Sequence, residues 1–138
     1  MTASDVGTMR RWAETAEAIR ATRATSRKAA IVAEYLRSLD DVDLPIAAVF
    51  LSGRPFPERD QRKTGLGWRA ITTVGEGVAA AGAGAMSRAY DRSSDVGTAV
   101  GDLLAQSGHR PEPASPLRLV EVARGTDALA STRGRDAK

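Results

Sequence analysis

Residues 26–39 read SRKAAIVAEYLRSL. Ala29, Val32, Ala33, Leu36 and Leu39 recur at helical spacing, with Ile31 and Tyr35 beside them, so the segment predicts an amphipathic helix with Ser26 as its cap. The same period runs outward in both directions. Upstream, Met9, Trp12, Ala13, Ala16, Ile19 and Arg23 place a helix over 8–24, capped by Asp5 or Thr8. Downstream, a short helix spans Asp43–Leu51, with Asp43 as its cap, Pro45 in its first turn and Gly53 as its stop. No pair of strands is visible; Ile71–Val74 is β-branched but isolated. The expected class is all-α, a multi-helix bundle.

Further along, Trp68–Val74 restarts a helix. Residues 75–84 (GEGVAAAGAG) hold four glycines, each costing about 1 kcal/mol against Ala in a helix interior, so broken structure is expected there. Ala85–Asp91 and Asp95–Gln106 read as two more helices, the second capped by Asp95 and burying Leu103 and Leu104. Residues 108–116 (GHRPEPASP) form a Pro-rich linker, with His109 and Arg110 exposed. A last helix covers Leu117–Ser131. The resulting division is a helical unit over 1–107, the linker 108–116, and the start of a second helical half over 117–138. Residues 17–28 (EAIRATRATSRK) and 127–138 (DALASTRGRDAK) correspond at a constant offset, which suggests that the second half repeats the first and is cut short.

Composition excludes several classes of chemistry. The chain has 138 residues, the size of one domain. It has no cysteine and a single histidine, which removes thiol catalysis, disulfides, Cys-based zinc sites and His-pair metal sites. No apolar run is long enough to span a bilayer, and the opening residues MTASDVGTMRRW lack the apolar core of a secretory signal, so no membrane partner and a cytoplasmic location are expected. Net charge is +3, and 17 of the 20 cations are Arg. Arg offers a planar donor fork suited to phosphates, although a GC-rich coding sequence accounts for most of that count. Asp40, Asp41 and Asp43 read as caps rather than metal ligands.

The chemistry concentrates in residues 50–68, FLSGRPFPERDQRKTGLGW. Pro55 and Pro57 restrict the backbone and lower the entropy lost on ordering. Gly65 and Gly67 allow close backbone approach just before a helix N-terminus, where N–H groups and the dipole favour an anion. Arg54, Arg59, Arg62 and Lys63 surround that point, and Glu58 and Asp60 can hold some of the Arg side chains. The sum reads as a clamp for a phosphate backbone; the residues alone equally allow a solvated loop with internal ion pairs. Trp68 reads as a core residue opening a helix, with base stacking as the lesser alternative, and Tyr35 and Tyr90 as core residues with hydrated hydroxyls. There is no Walker-type loop, because Gly65–Gly67 is not followed by Lys-Ser/Thr.

This stretch resembles the N-terminal DNA-binding domain of ATP-dependent DNA ligases, particularly of the bacterial and actinobacterial kind. Those proteins carry a loop of the form F-L-x-G-R-P-F-P-x-R-D-x-R-x-x-G-L-G-W, and Phe50–Trp68 matches it almost position by position. The resemblance extends to residues 12–22 and 33–51, to Tyr90 and Ser94-Asp95-Val96-Gly97, and to residues 115–131. It departs from the family at Gly75, Gly77, Gly82 and Gly84, where such ligases carry a well-formed helix.

The resemblance implies an all-α domain of two related halves. It would grip nicked double-stranded DNA through the minor groove and sugar-phosphate backbone in repair and replication. Arg54, Arg59, Arg62 and Lys63 would meet phosphates, with Gly65 and Gly67 at close approach. Such contacts position without reading sequence.

ATP and magnesium are implied for the full-length family, but no cofactor is expected here. None of Lys28, Lys63 and Lys138 is followed by x-Asp-Gly, the motif that takes up AMP in such ligases. The chain alone is therefore expected to be inactive, its partner being a missing catalytic domain or a second copy. The alternatives are a stand-alone, non-enzymatic DNA-binding module and a degenerate helical remnant.

Overall fold

The computed structural model describes residues 5–107 and 115–132. Seven α-helices account for most of them: α1 (Met9–Ala21), α2 (Thr25–Arg37), α3 (Asp43–Leu51), α4 (Trp68–Val78), α5 (Ala85–Ser93), α6 (Val96–Ser107) and α7 (Leu119–Ser131). Among the described residues the one β-type pairing is an isolated antiparallel bridge between Thr8 and Arg118. The all-α expectation holds.

The described residues fall into two compact units, 5–64 together with 115–132, and 65–107. This differs from the division expected from sequence, 1–107 followed by 117–138. The reason lies in the start of α7. Leu119 N–H donates to the Gly7 carbonyl at 2.9 Å, and Met9 N–H donates to the Leu117 carbonyl at 2.8 Å. These bonds return the chain onto its own beginning, and Leu119, fully buried, joins Tyr35, Leu39 and Ala47 in the first core. Met9, Trp12, Ile46 and Phe50 pack around that core. The expected linker falls largely on residues 108–114, including His109 and Arg110, which lie outside the described residues. So do Arg133, Arg135 and Lys138 of the suspected repeat.

Local signals explain most helix ends in this unit. The Thr8 hydroxyl caps α1, accepting from Arg11 N–H at 3.2 Å. Helix α2 starts at Thr25, with Ala24 rather than Ser26 at its N-cap and no side-chain cap bond. Asp43 does not cap α3. Asp40 does so instead: its Oδ1 accepts from the N–H groups of Val42 (3.0 Å) and Asp43 (2.7 Å). Asp43 is buried and turned to Arg118, whose Nη2 donates to its Oδ2 at 3.2 Å. Trp12 Nε1–H reaches the Ala47 carbonyl at 3.4 Å, and its ring meets Phe50 edge-on at 6.3 Å. Tyr35 is buried as expected, and its hydroxyl lies inside the core with no protein partner among the described residues.

The second unit is built on Ala79, Met86, Ala89, Ala99 and Leu103, with Ile71, Val96, Val100 and Leu104 against them. Helix α4 does not break at Gly75 as expected but continues through Gly75 and Gly77 to Val78. Propensity is overridden by packing. Gly75 is buried with the Met86 sulfur across from it, and Glu76 Oε1 accepts from Met86 N–H at 3.0 Å. The break is confined to residues 79–84, where Ala80 (φ 50°) and Gly84 (φ 82°) take left-handed conformations. Asp95 caps α6 as read, its Oδ2 accepting from Thr98 N–H at 2.7 Å.

Candidate nucleic-acid interface

The loop after α3 begins at Gly53, whose φ of 78° turns the chain out of the helix. Phe56 then dips inward and is only 4% exposed, between two exposed prolines. One apolar side chain thus anchors an otherwise polar segment. Beyond it the backbone turns, with Asp60 N–H donating to the Pro57 carbonyl at 2.8 Å.

The Asp60 carboxylate organises the second half of the loop. Its Oδ1 accepts from the backbone N–H of Arg62 at 3.0 Å, and the Arg62 guanidinium grips both carboxylate oxygens, with Nε–Oδ1 at 3.1 Å and Nη2–Oδ2 at 2.8 Å. Those hydrogen bonds from the Arg62 side chain and backbone hold the Asp60 carboxyl below its usual range. The same guanidinium donates through Nη2 to Asp127 Oδ1 on α7 at 2.9 Å. Its carbon lies 4.6 Å from the centroid of the Phe56 ring. Both carboxylates raise the Arg62 pKa, and the group is permanently charged.

Arg54, Arg62 and Lys63 line one cleft of about 240 Å³, together with Phe56, Asp60 and Thr64. All four basic residues singled out from sequence are exposed, but they do not share one environment. Arg54 and Lys63 stand on the cleft, and among the described residues neither forms an ion pair. Arg59 is exposed and does not line that cleft. Arg62 lines it but is already committed to two carboxylates. Of the two acidic residues expected to hold Arg side chains, Asp60 does so and, among the described residues, Glu58 does not.

Gly65 and Gly67 belong to the second unit. Gly65 has a φ of 68°, a conformation that favours glycine. Gly67 is extended (φ −98°, ψ 179°), opens α4 without a side-chain cap, and has open space where a Cβ would stand. Trp68 and Tyr90 are not core residues. They are 43% and 36% exposed and meet edge-on at 5.1 Å. Among the described residues no group of His, Asp and Glu could hold a metal ion, and no helix is long and apolar enough to cross a membrane.

Two contributors escaped sequence reasoning. Phe56 gave a signal, as an apolar residue alone among charges. Asp127, 65 positions from Arg62, gave none.

The family model described as DNA ligase N terminus matches residues 8–138, nearly the whole chain. The chain belongs to the DNA ligase N-terminal family. A probable DNA ligase of Opitutus terrae is 38% identical over 81% of this chain, and one of Koribacter versatilis is 36% identical over 91% of it. A probable DNA ligase of Nocardia farcinica is 42% identical over 44% of the chain. This ligase N-terminal chain spans 11% of the length of the Opitutus relative and 21% of the Koribacter one. No solved structure matches it.

Proposed function

We propose that this chain is the DNA-binding part of an ATP-dependent DNA ligase, gripping the backbone and minor groove of nicked duplex DNA for sealing in repair and replication. Family membership supports the ligase assignment. The observation that carries the contact itself is the cleft on which Arg54 and Lys63 present cationic groups that, among the described residues, form no ion pair. Arg59 adds a third exposed cation on the same loop. Gly65 and Gly67 bring exposed backbone to the duplex, where a side chain would hold it off. These groups hold DNA; AMP transfer and phosphodiester formation, with ATP and magnesium, are assigned to the adenylating machinery, whose Lys-x-Asp-Gly motif these 138 residues lack. The location this role implies is the cytoplasm.

The test is fluorescence anisotropy of a labelled nicked duplex with the 138-residue chain, from about 50 to about 200 mM salt. Each phosphate contact contributes about −0.9 to the log–log salt slope, so three contacts give a slope near about −2.7. Arg54→Glu and Lys63→Glu should each weaken binding about tenfold and flatten the slope by about one contact. An unlabelled intact duplex should compete less well than a nicked one. Affinity indifferent to salt, or to both substitutions, overturns the phosphate reading; equal competition by intact duplex overturns the nick.

A further inference from the structure

We infer that Arg62 is a positioning residue rather than a phosphate ligand: its guanidinium straps the basic loop to α7 through Asp127 and so fixes Arg54 and Lys63 on their cleft. The inference rests on the phosphate reading above. Arg62 has the exposure and charge of a DNA ligand, and its position among Arg54, Arg59 and Lys63 assigns it to the clamp. Its surroundings argue otherwise. Two carboxylates face one guanidinium, at 2.8 Å (Asp60) and 2.9 Å (Asp127). Two carboxylates thus share one cation, and one face of the group is covered by Phe56. A phosphate could take the Nε–Nη2 edge of the guanidinium only by displacing its two-point pair with Asp60.

What the contact accomplishes is mechanical. Phe56 anchors the first half of the loop. The second half, from Glu58 to Lys63, is tightened locally by the Asp60 turn and joined to a helix by the Arg62–Asp127 bond. Lys63 directly follows the strapped residue, and Arg54 lines the same cleft as Arg62. Ordering these two long side chains before DNA arrives reduces the entropy lost on binding.

The two roles predict opposite signs for one substitution. Asp127 is exposed on α7, so Asp127→Ala removes a carboxylate without opening the core. If Arg62 is a strap, Asp127→Ala weakens binding to nicked duplex about fivefold, the size expected of an exposed ion-pair network, with the salt slope unchanged. Trypsin cleavage after Arg59, Arg62 and Lys63 accelerates by a similar factor, because the loop is released. Asp127→Glu, which keeps the carboxylate, restores both. If Arg62 is instead a phosphate ligand held in reserve, Asp127→Ala tightens binding and steepens the slope by about one contact; that result overturns the inference. Unaltered trypsin cleavage in Asp127→Ala overturns it as well. The cleavage rate needs no DNA, so a chain that fails to bind nicked duplex refutes the phosphate reading while the strap is still judged by proteolysis.

Discussion

Arg118 Nη2 donates to Asp43 Oδ2 at 3.2 Å across 75 positions of sequence, and Gly7 lies directly against both groups. Asp43 is 4% exposed and Arg118 remains partly in solvent, so the pair joins a buried carboxylate at the start of α3 to a half-exposed guanidinium just before α7. A Cβ on Gly7 would fall onto the Asp43 carboxylate and the Arg118 guanidinium. Gly7→Ala is therefore expected to push the pair apart and destabilise the first unit by about 1–3 kcal/mol, the range for overfilling a packed site. Thermal unfolding followed by circular dichroism measures the loss. An unchanged midpoint would show that the pair has room to move.

The strap makes its own prediction in acid. Asp60 titrates below the ordinary carboxylate value of 3.8 because Arg62 donates to its charged form. A depressed folded-state pKa contributes stability that is present above the unfolded value and lost as pH falls through the folded one. The Asp60–Arg62 turn should therefore stay formed throughout the neutral and mildly acidic range and loosen only below the ordinary carboxylate range. Carboxyl-detected NMR should give Asp60 a midpoint under 3.8 in the native chain and a rise toward 3.8 in Arg62→Gln. An identical midpoint in both chains would remove Arg62 as the cause.

Much of the first unit was legible because its information is local. The spans of α2 and α3, the Thr8 cap, the Gly53 stop and the basic character of Arg54 and Lys63 all lie within a few residues of the features they determine. Several of the failures share one cause, distance in sequence. Nothing near residue 117 says that Leu119 will pair with Gly7, so the packing of α7 in the first unit is hidden from a local reading. Nothing near Gly75 announces that its missing side chain faces the Met86 sulfur, and propensity alone breaks a helix that packing sustains. Arg62 carries the right charge in the right loop, and only its partner on α7 separates a strap from a ligand. Tyr90 looks like a core residue because aromatic character predicts burial, yet it lies exposed against Trp68.

Not every glycine in a helix is placed by packing. Gly101 in α6 and Gly125 in α7 are exposed, have ordinary negative φ, and an added Cβ would meet nothing within 4 Å. Each carries the backbone entropy of glycine without a contact in return. Gly101→Ala and Gly125→Ala should each stabilise by about 0.5–1 kcal/mol. Amide hydrogen exchange can assign the gain to α6 in the first variant and to α7 in the second. Loss of protection at either site would mean that a neighbour needs the space.

Tyr35 offers the sharpest pH dependence. Burial first, and the Asp43 carboxylate second, push its hydroxyl up to about 12, against a smaller opposing effect of Arg11. The folded chain thus holds the neutral phenol in a range where the unfolded chain ionises near 10. A raised folded-state pKa contributes stability that is complete below the unfolded value and lost as pH rises through the folded one. A rise of that size corresponds to roughly 2–3 kcal/mol, lost between about pH 10 and about pH 12. Tyr35→Phe should abolish that alkaline loss. At neutral pH the same substitution removes a buried hydroxyl that has no protein partner, so it should leave stability unchanged or slightly higher. Denaturant unfolding at about pH 7 and at alkaline pH, with ultraviolet absorbance to count ionised tyrosines, separates the two effects. A Tyr35 that ionises near 10 would place its hydroxyl in water and refute the account.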